Sequence, residues 1–279
     1  MLFAVSAAFA AVIGGTFAAD MRTPAVIVLG SGSRLSVLVT AGSARLLLAT
    51  GDDPVALGNA LDLARHPTTR RIDILLVAGQ ARDLQAPAVI AAGDDDRFTA
   101  RIGPSPDGSV PSSLQGAPSL PAERRFRLPG DVTIVTRWGS GADDRAGPVW
   151  AAVISRGSSS IAVLSEGRAV TLLGSVAAVN AIIVAGGDSL EALKTIDAGA
   201  IVMLGTEITG KELRQSSAAL DEVSLWGARV FPGEAFQLTF SQGAVTVPSG
   251  AVQQLSVPSE ESAAPTAEPP APATDGPDT

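Results

Sequence analysis

The chain has 279 residues, 46% of them hydrophobic and only 4% aromatic, enough for a sizeable core built mainly from Ala, Val, Leu and Ile. There is no cysteine and one histidine, His66, which excludes disulfides, thiolate zinc sites, iron–sulfur clusters, a Cys nucleophile and any His-rich metal site. Formal net charge is −8, but five acids and no base fall in residues 258–279, so the body carries only −3, a balance that speaks against a nucleic-acid footprint.

Residues 1–20 open with an uncharged run, "MLFAVSAAFAAVIGGTFAA", just long enough to cross a bilayer as a helix. It is expected to be a transmembrane anchor or a signal segment. The signal reading lacks a basic n-region. A third reading is the cut end of a longer membrane protein. The corresponding location is membrane-anchored with the body extracytoplasmic, or secreted if the segment is cleaved. The body is expected over residues 24–250. A Pro-, Ala- and acid-rich tail, 258–279, has no apolar periodicity and is expected to be disordered.

In the first half, "AVIVLG" from Ala25, "LSVLVT" from Leu35 and "ARLLLA" from Ala44 read as an antiparallel meander joined by Gly-containing turns. A helix follows over Asp53–His66, with Asp53 as N-cap and Pro54 at the first helical position, stopping before Pro67. "IDILLV" from Ile72 is a buried strand. Gly103–Gly130 is rich in Pro, Gly and Ser and is expected to be a long loop dividing the halves. In the second half, "DVTIVTRW", "VWAAVIS", "SIAVLS", "VNAIIVAG", "AIVMLG", "FQLTF" and "AVTV" read as strands. Capped helices are expected from Asp188, with Glu191, and from Thr209, with Glu212. Two such halves imply an α/β (α+β) protein with two sheets packed face to face and helices outside.

This order, with the motifs it carries, resembles the metallo-β-lactamase fold, and within it the C-terminal hydrolase-like domain of ComEC-type DNA-uptake proteins. That family opens with a strand and "DVGQGD", then "LIDTG", a helix, and "ID" with a strand and "THxHxDH". Here "VLGSGS" (Val28–Ser33) stands for the first motif and "LLLATGDD" (Leu46–Asp53) for the second, with Ala49 in the acid's place. "IDILLVAGQARDL" (Ile72–Leu84) stands for the metal motif: Gly79, Ala81 and Leu84 replace the three histidines, and Asp83 survives. "AIIVAGGDS" (Ala181–Ser189) stands where the family has "HHGS", with Gly186 and Gly187 for the histidines. "AVLSEG" (Ala162–Gly167) stands for "LLTGD", with Gly167 in place of the bridging Asp and Glu166 one residue earlier.

The resemblance covers about Ala25 to Val247. It implies an αββα four-layer sandwich of two mixed sheets, with a vestigial pocket at Gly79, Ala81, Asp83, Leu84, Glu166, Gly167, Gly186 and Gly187. Zinc needs about three or four N, O or S donors. Gly, Ala and Leu offer none, so no catalytic or metal-ligating residue and no cofactor is expected. The expected function is a non-catalytic, membrane-tethered domain with a binding or structural role, linked to DNA uptake, with an unidentified protein partner at the membrane. Two alternatives stay open: a divergent metal-dependent hydrolase, nuclease- or phosphodiesterase-like, using Asp83, Glu166 or Asp188, and a remnant of a ComEC-type protein.

Other features read as structural. His66 sits at a helix C-terminus, where the dipole favours a cation. Asp83 is expected to cap the following turn. Asp94–Asp96 and Asp143–Asp144 read as solvated loops rather than sites for a hard cation. Gly30-x-Gly32 lacks the third Gly and the following helix of a dinucleotide loop. No GxSxG elbow supports the serines of "SRGSSSIAV" as nucleophiles, and the two lysines, Lys194 and Lys211, fall on expected helix surfaces. The runs Arg65–Arg71 and Arg124–Arg127 read as basic solvated loops.

Overall fold

The computed structural model describes residues 23–64, 71–93, 97–104, 110–140, 148–174, 178–184, 196–204, 226–241, 244–246 and 253–254. The apolar runs near the N-terminus form β1 (Ala25–Gly30), β2 (Leu35–Ala41) and β3 (Ala44–Ala49), an antiparallel meander as expected. Next come α1 (Pro54–Ala64), β4 (Ile74–Ala78), a 3₁₀ turn (Ala81–Leu84), α2 (Gln85–Ala92) and β5 (Phe98–Ile102). The second half contributes β6 (Glu123–Leu128), β7 (Val132–Ser140), β8 (Pro148–Arg156), β9 (Ser159–Leu164) and a 3₁₀ helix (Gly167–Leu173). There follow β10 (Ala178–Val179), β11 (Ala181–Val184), β12 (Asp197–Ala198), β13 (Ala200–Leu204) and β14 (Trp226–Val230). The last strands are β15 (Ala235–Ser241), β16 (Ala244–Thr246) and β17 (Gln253–Gln254).

The strands build two mixed sheets. One has seven strands in the order β16-β15-β1-β2-β3-β4-β5, the other eight in the order β17-β14-β13-β11-β9-β8-β7-β6. β10 and β12 form a separate short parallel pair. In the first sheet β3, β4 and β5 run parallel, and in the second β9, β11, β13 and β14 do. The protein is therefore mixed α/β.

Both faces of the first sheet are buried, which explains why its strands are continuous apolar runs rather than alternating ones. Val26, Val28, Val37, Val39, Leu46, Leu48 and Leu76 face the second sheet, where they meet Ile134, Trp150, Ile154, Ile161, Val163, Ile183 and Val202. The intervening residues Ile27, Leu29, Leu38, Leu47, Leu75 and Val77 face the helical side and pack on Leu57, Leu61 and Leu84. The alternation follows from the two-residue period of a strand. The outer face of the second sheet packs Val149, Ala151, Leu164, Ile182 and Ile201 on Ala169 and Leu173 of the 3₁₀ helix.

Helix α1 starts where its sequence says. Asp53 accepts the backbone N–H of Val55 at 2.9 Å and of Ala56 at 3.0 Å, satisfying donors that have no partner inside the helix. Its Ala56, Leu57, Ala60 and Leu61 are buried, a stripe at helical spacing.

Several expectations are corrected. The loop expected over Gly103–Gly130 is shorter. It contains a 3₁₀ turn, Ser112–Leu114, whose Leu114 is fully buried, and it ends at β6. Arg124–Arg127 is thus strand, not loop. α2, β5 and β14 were not expected. α2 tolerates Pro87 because it lies in the first turn, where no intrahelical N–H bond is lost.

The membrane anchor is corrected as well. Among the described residues no helix is long and apolar enough to cross a membrane, and the longest, α1, has 11 residues. The membrane-anchored location loses its ground with it. The run 1–19, His66, the helices expected from Asp188 and Thr209, Asp94–Asp96, Asp143–Asp144 and the tail 258–279 lie outside the described residues.

Candidate functional site

The ends of β1, β3, β4 and β9 and the start of β8 meet at one end of the sandwich. The loops they carry frame a small open cleft between the two sheets. From the first sheet come Arg34, Thr50, Gly79, Gln80 and Asp83, and from the second Pro148, Trp150, Ser165 and Glu166. The space open to the centre of a water molecule is about 20 Å³, enough for roughly one water or one ion.

Asp83 is the buried acid of the cleft, at 3% exposure. One carboxylate oxygen, Oδ1, accepts Nε of Arg34 at 3.2 Å and lies 3.7 Å from Nε of Arg82. The other, Oδ2, accepts the Gln80 backbone N–H at 3.2 Å, closing the 3₁₀ turn on itself. Asp83 thus bonds back to the start of its own turn rather than capping the following one, and its second tie is the ion pair with Arg34. Side-chain exposure is 16% for Arg34 and 4% for Asp83, so this pair is poorly screened, whereas Arg82 is 69% exposed and contributes less.

The backbone around Asp83 fixes it further. Its carbonyl accepts the Gly51 N–H at 2.7 Å, and the Gly51 carbonyl accepts the Ala86 N–H at 3.1 Å, tying the β3 loop to the first turn of α2. Gly79 has φ +119, and a Cβ there would lie 2.6 Å from the Cβ of Asp83. No side chain fits at position 79 on this backbone, histidine included. Beneath the cleft three buried polar residues satisfy one another. Ser36 Oγ donates to the Thr50 carbonyl at 2.7 Å, accepts the Thr50 N–H at 3.1 Å and lies 3.2 Å from Ser31 Oγ. Complete pairing is what makes buried polar groups tolerable.

Across the cleft, Glu166 is held by Arg168 Nε at 2.7 Å, both side chains being about a quarter exposed at 26% and 27%. Ser165 Oγ accepts the Trp150 N–H at 3.0 Å and fixes the strand end beside it. In the loops next to Arg34 and Thr50, Asp52 accepts both the backbone N–H and Oγ of Ser33 at 2.9 Å. Partial burial raises the Asp52 pKa. The two bonds from Ser33, a backbone bond of its own and the charge of Arg82 outweigh that, so its carboxyl sits below the ordinary value.

The structure therefore brings Asp83, Glu166 and Gly79 of the expected pocket together. Leu84 packs in the helical-side core at 2% exposure and does not line the cleft, and neither do Ala81 and Gly167. Gly186 and Gly187 lie outside the described residues. Sequence reasoning missed Arg34, Thr50, Gln80, Trp150, Ser165 and Arg168. The one available signal for Arg34 was its place directly after the Gly30-x-Gly32 turn.

Among the described residues no group of three or more His, Cys, Asp or Glu is placed to hold a metal ion. The two carboxylates at the cleft are each bonded to a guanidinium, so this donor set does not fit a dinuclear zinc centre. Comparison of the chain with protein-family models and with curated proteins finds no match.

Proposed function

We propose that the chain is a metallo-β-lactamase-like αββα domain, akin to the ComEC-type hydrolase-like domain, that has exchanged metal chemistry for a binding or scaffolding role. The observation that carries this reading is the pairing of both cleft carboxylates with arginine: Asp83 with Arg34 and Glu166 with Arg168. In this reading the Arg34 guanidinium supplies the positive charge that a cation would otherwise provide beside Asp83. It is supported by the cleft's place, at strand ends between two face-to-face mixed sheets with helices on the outer face of the first. It is also supported by Gly79, whose backbone leaves no room for a ligating side chain.

A rival reading, a divergent metal-dependent hydrolase, has one observation in its favour: Asp83 and Glu166 line the same cleft. Elemental analysis separates the two. The full chain, purified without chelator and re-exposed to zinc and to manganese, is expected to retain no stoichiometric metal while still melting cooperatively. One equivalent or more of metal, lost on Asp83→Ala, overturns the proposal in favour of the hydrolase.

A further inference from the structure

The free edge of the eight-stranded sheet is cationic. β6 is its last strand, paired among the described residues only with β7, and it reads Glu-Arg-Arg-Phe-Arg-Leu. Trp138 N–H donates to the Ala122 carbonyl at 3.0 Å, and the register continues Arg124↔Thr136 and Phe126↔Ile134. Opposed residues in an antiparallel ladder alternate between bonded and non-bonded pairs. Residues 122, 124 and 126 are therefore the bonded set. The N–H and C=O groups of Glu123, Arg125 and Arg127 point away from the sheet.

Arg124, Arg125 and Arg127 are exposed. Of the carboxylates on the same hairpin, Glu123 is held by Arg137 at 2.9 Å and Asp131 lies in the turn. Among the described residues none of the three arginines forms an ion pair. Charged side chains on an edge strand guard against edge-to-edge aggregation, but a run of one sign also attracts the opposite one.

The chain carries that opposite sign itself, in five acids without a base over residues 258–279. The last described strand before them, β17, lies at the other edge of the same sheet. Seven strand spacings of about 4.8 Å separate the edges, roughly 34 Å. An extended chain gains at most about 3.3–3.6 Å per residue. Glu260 and Glu261, six and seven residues past Gln254, reach no further than about 25 Å and fall short. Glu268, fourteen residues past it, reaches about 48 Å, and Asp275 and Asp278 reach beyond that.

We infer that the distal acids Glu268, Asp275 and Asp278 dock on Arg124, Arg125 and Arg127, so that the chain's own acidic segment covers the free edge of β6. Tethering raises the local concentration of such a segment to the order of mM. That is what makes several weak, exposed pairs add up to occupancy.

Because the chain has no cysteine, Thr274→Cys gives a unique site for a nitroxide label. The full-length labelled protein is expected to lose amide signal intensity at β6 but not at α1, on the outer face of the other sheet. The loss is expected to disappear in 1 M salt, where the Debye length falls to about 3 Å. It is expected to disappear also in Glu268→Gln/Asp275→Asn/Asp278→Asn, and to persist in Glu260→Gln/Glu261→Gln. Absence of selective loss at β6, or loss indifferent to the distal substitutions, overturns the inference. So does equal loss in a mixture of nitroxide-labelled and separate isotope-labelled chains, which assigns the contact to a second copy.

Discussion

Replacing Arg34 by Met tests the ion pair at the centre of the cleft. The substitution keeps an unbranched apolar stem and removes the guanidinium. Asp83, with its side chain 4% exposed, is left with the Gln80 N–H and the largely exposed Arg82 at 3.7 Å. Breaking a fully buried pair from one side costs about 3–5 kcal/mol. Arg34 keeps 16% exposure and Asp83 keeps two partial partners, so about 2–3 kcal/mol is expected here. Asp83→Asn strands the less buried partner, and about 1–2 kcal/mol is expected. The double variant is expected to cost about 1–2 kcal/mol less than the sum, because the second substitution removes a group the first had already orphaned. Urea unfolding of the full chain, followed by the fluorescence of its three tryptophans, reads all four corners of the cycle. Additivity within about 0.5 kcal/mol refutes the reasoning. It would mean that Arg34 and Asp83 do not sense each other and that the acid is free for another cation.

Two glycines predict opposite signs. Gly79→Ala places a Cβ 2.6 Å from that of Asp83 at φ +119 and is expected to cost about 2–3 kcal/mol, whereas Gly58→Ala, with nothing within 4 Å on α1, is expected to stabilise by about 0.5–1 kcal/mol. Denaturant midpoints of the two variants check both. Asp52 predicts a pH dependence. Its folded pKa lies below the ordinary aspartate value of 3.8, so its stabilising contribution is present above that value and is lost as pH falls through the folded pKa. Stability measured from about pH 5 downward is expected to fall less steeply near and below 3.8 in Asp52→Asn than in the parent, and equal slopes would count against the Ser33 contacts.

Much of the fold was legible because its signals are local. The apolar runs at Ala25, Leu35, Ala44 and Ile72 became strands, and Asp53-Pro54 began a helix, since turn chemistry and capping act within a few residues. β6 was hidden because its inward pair, Phe126 and Leu128, is too short an alternation to stand out among exposed charged residues. α2 was hidden by a proline that counts as a breaker unless the helix start is known. The ligand-poor loop was also legible, as the plain presence of Gly, Ala and Leu in "AGQARDL".

The sequence alone determined the chemistry that this chain lacks: without cysteine and with one histidine, whole classes of site are closed whatever the fold. It also determined the strand and helix segments whose periodicity and caps are local. Only the tertiary structure decided what the surviving acids do. Arg34 and Asp83 stand 49 residues apart and meet because β1 to β4 lie side by side, and Glu166 joins them because a second sheet closes over the first. Composition fixes which side chains exist, but a salt bridge is made by distance and burial, and those are set by which strands become neighbours.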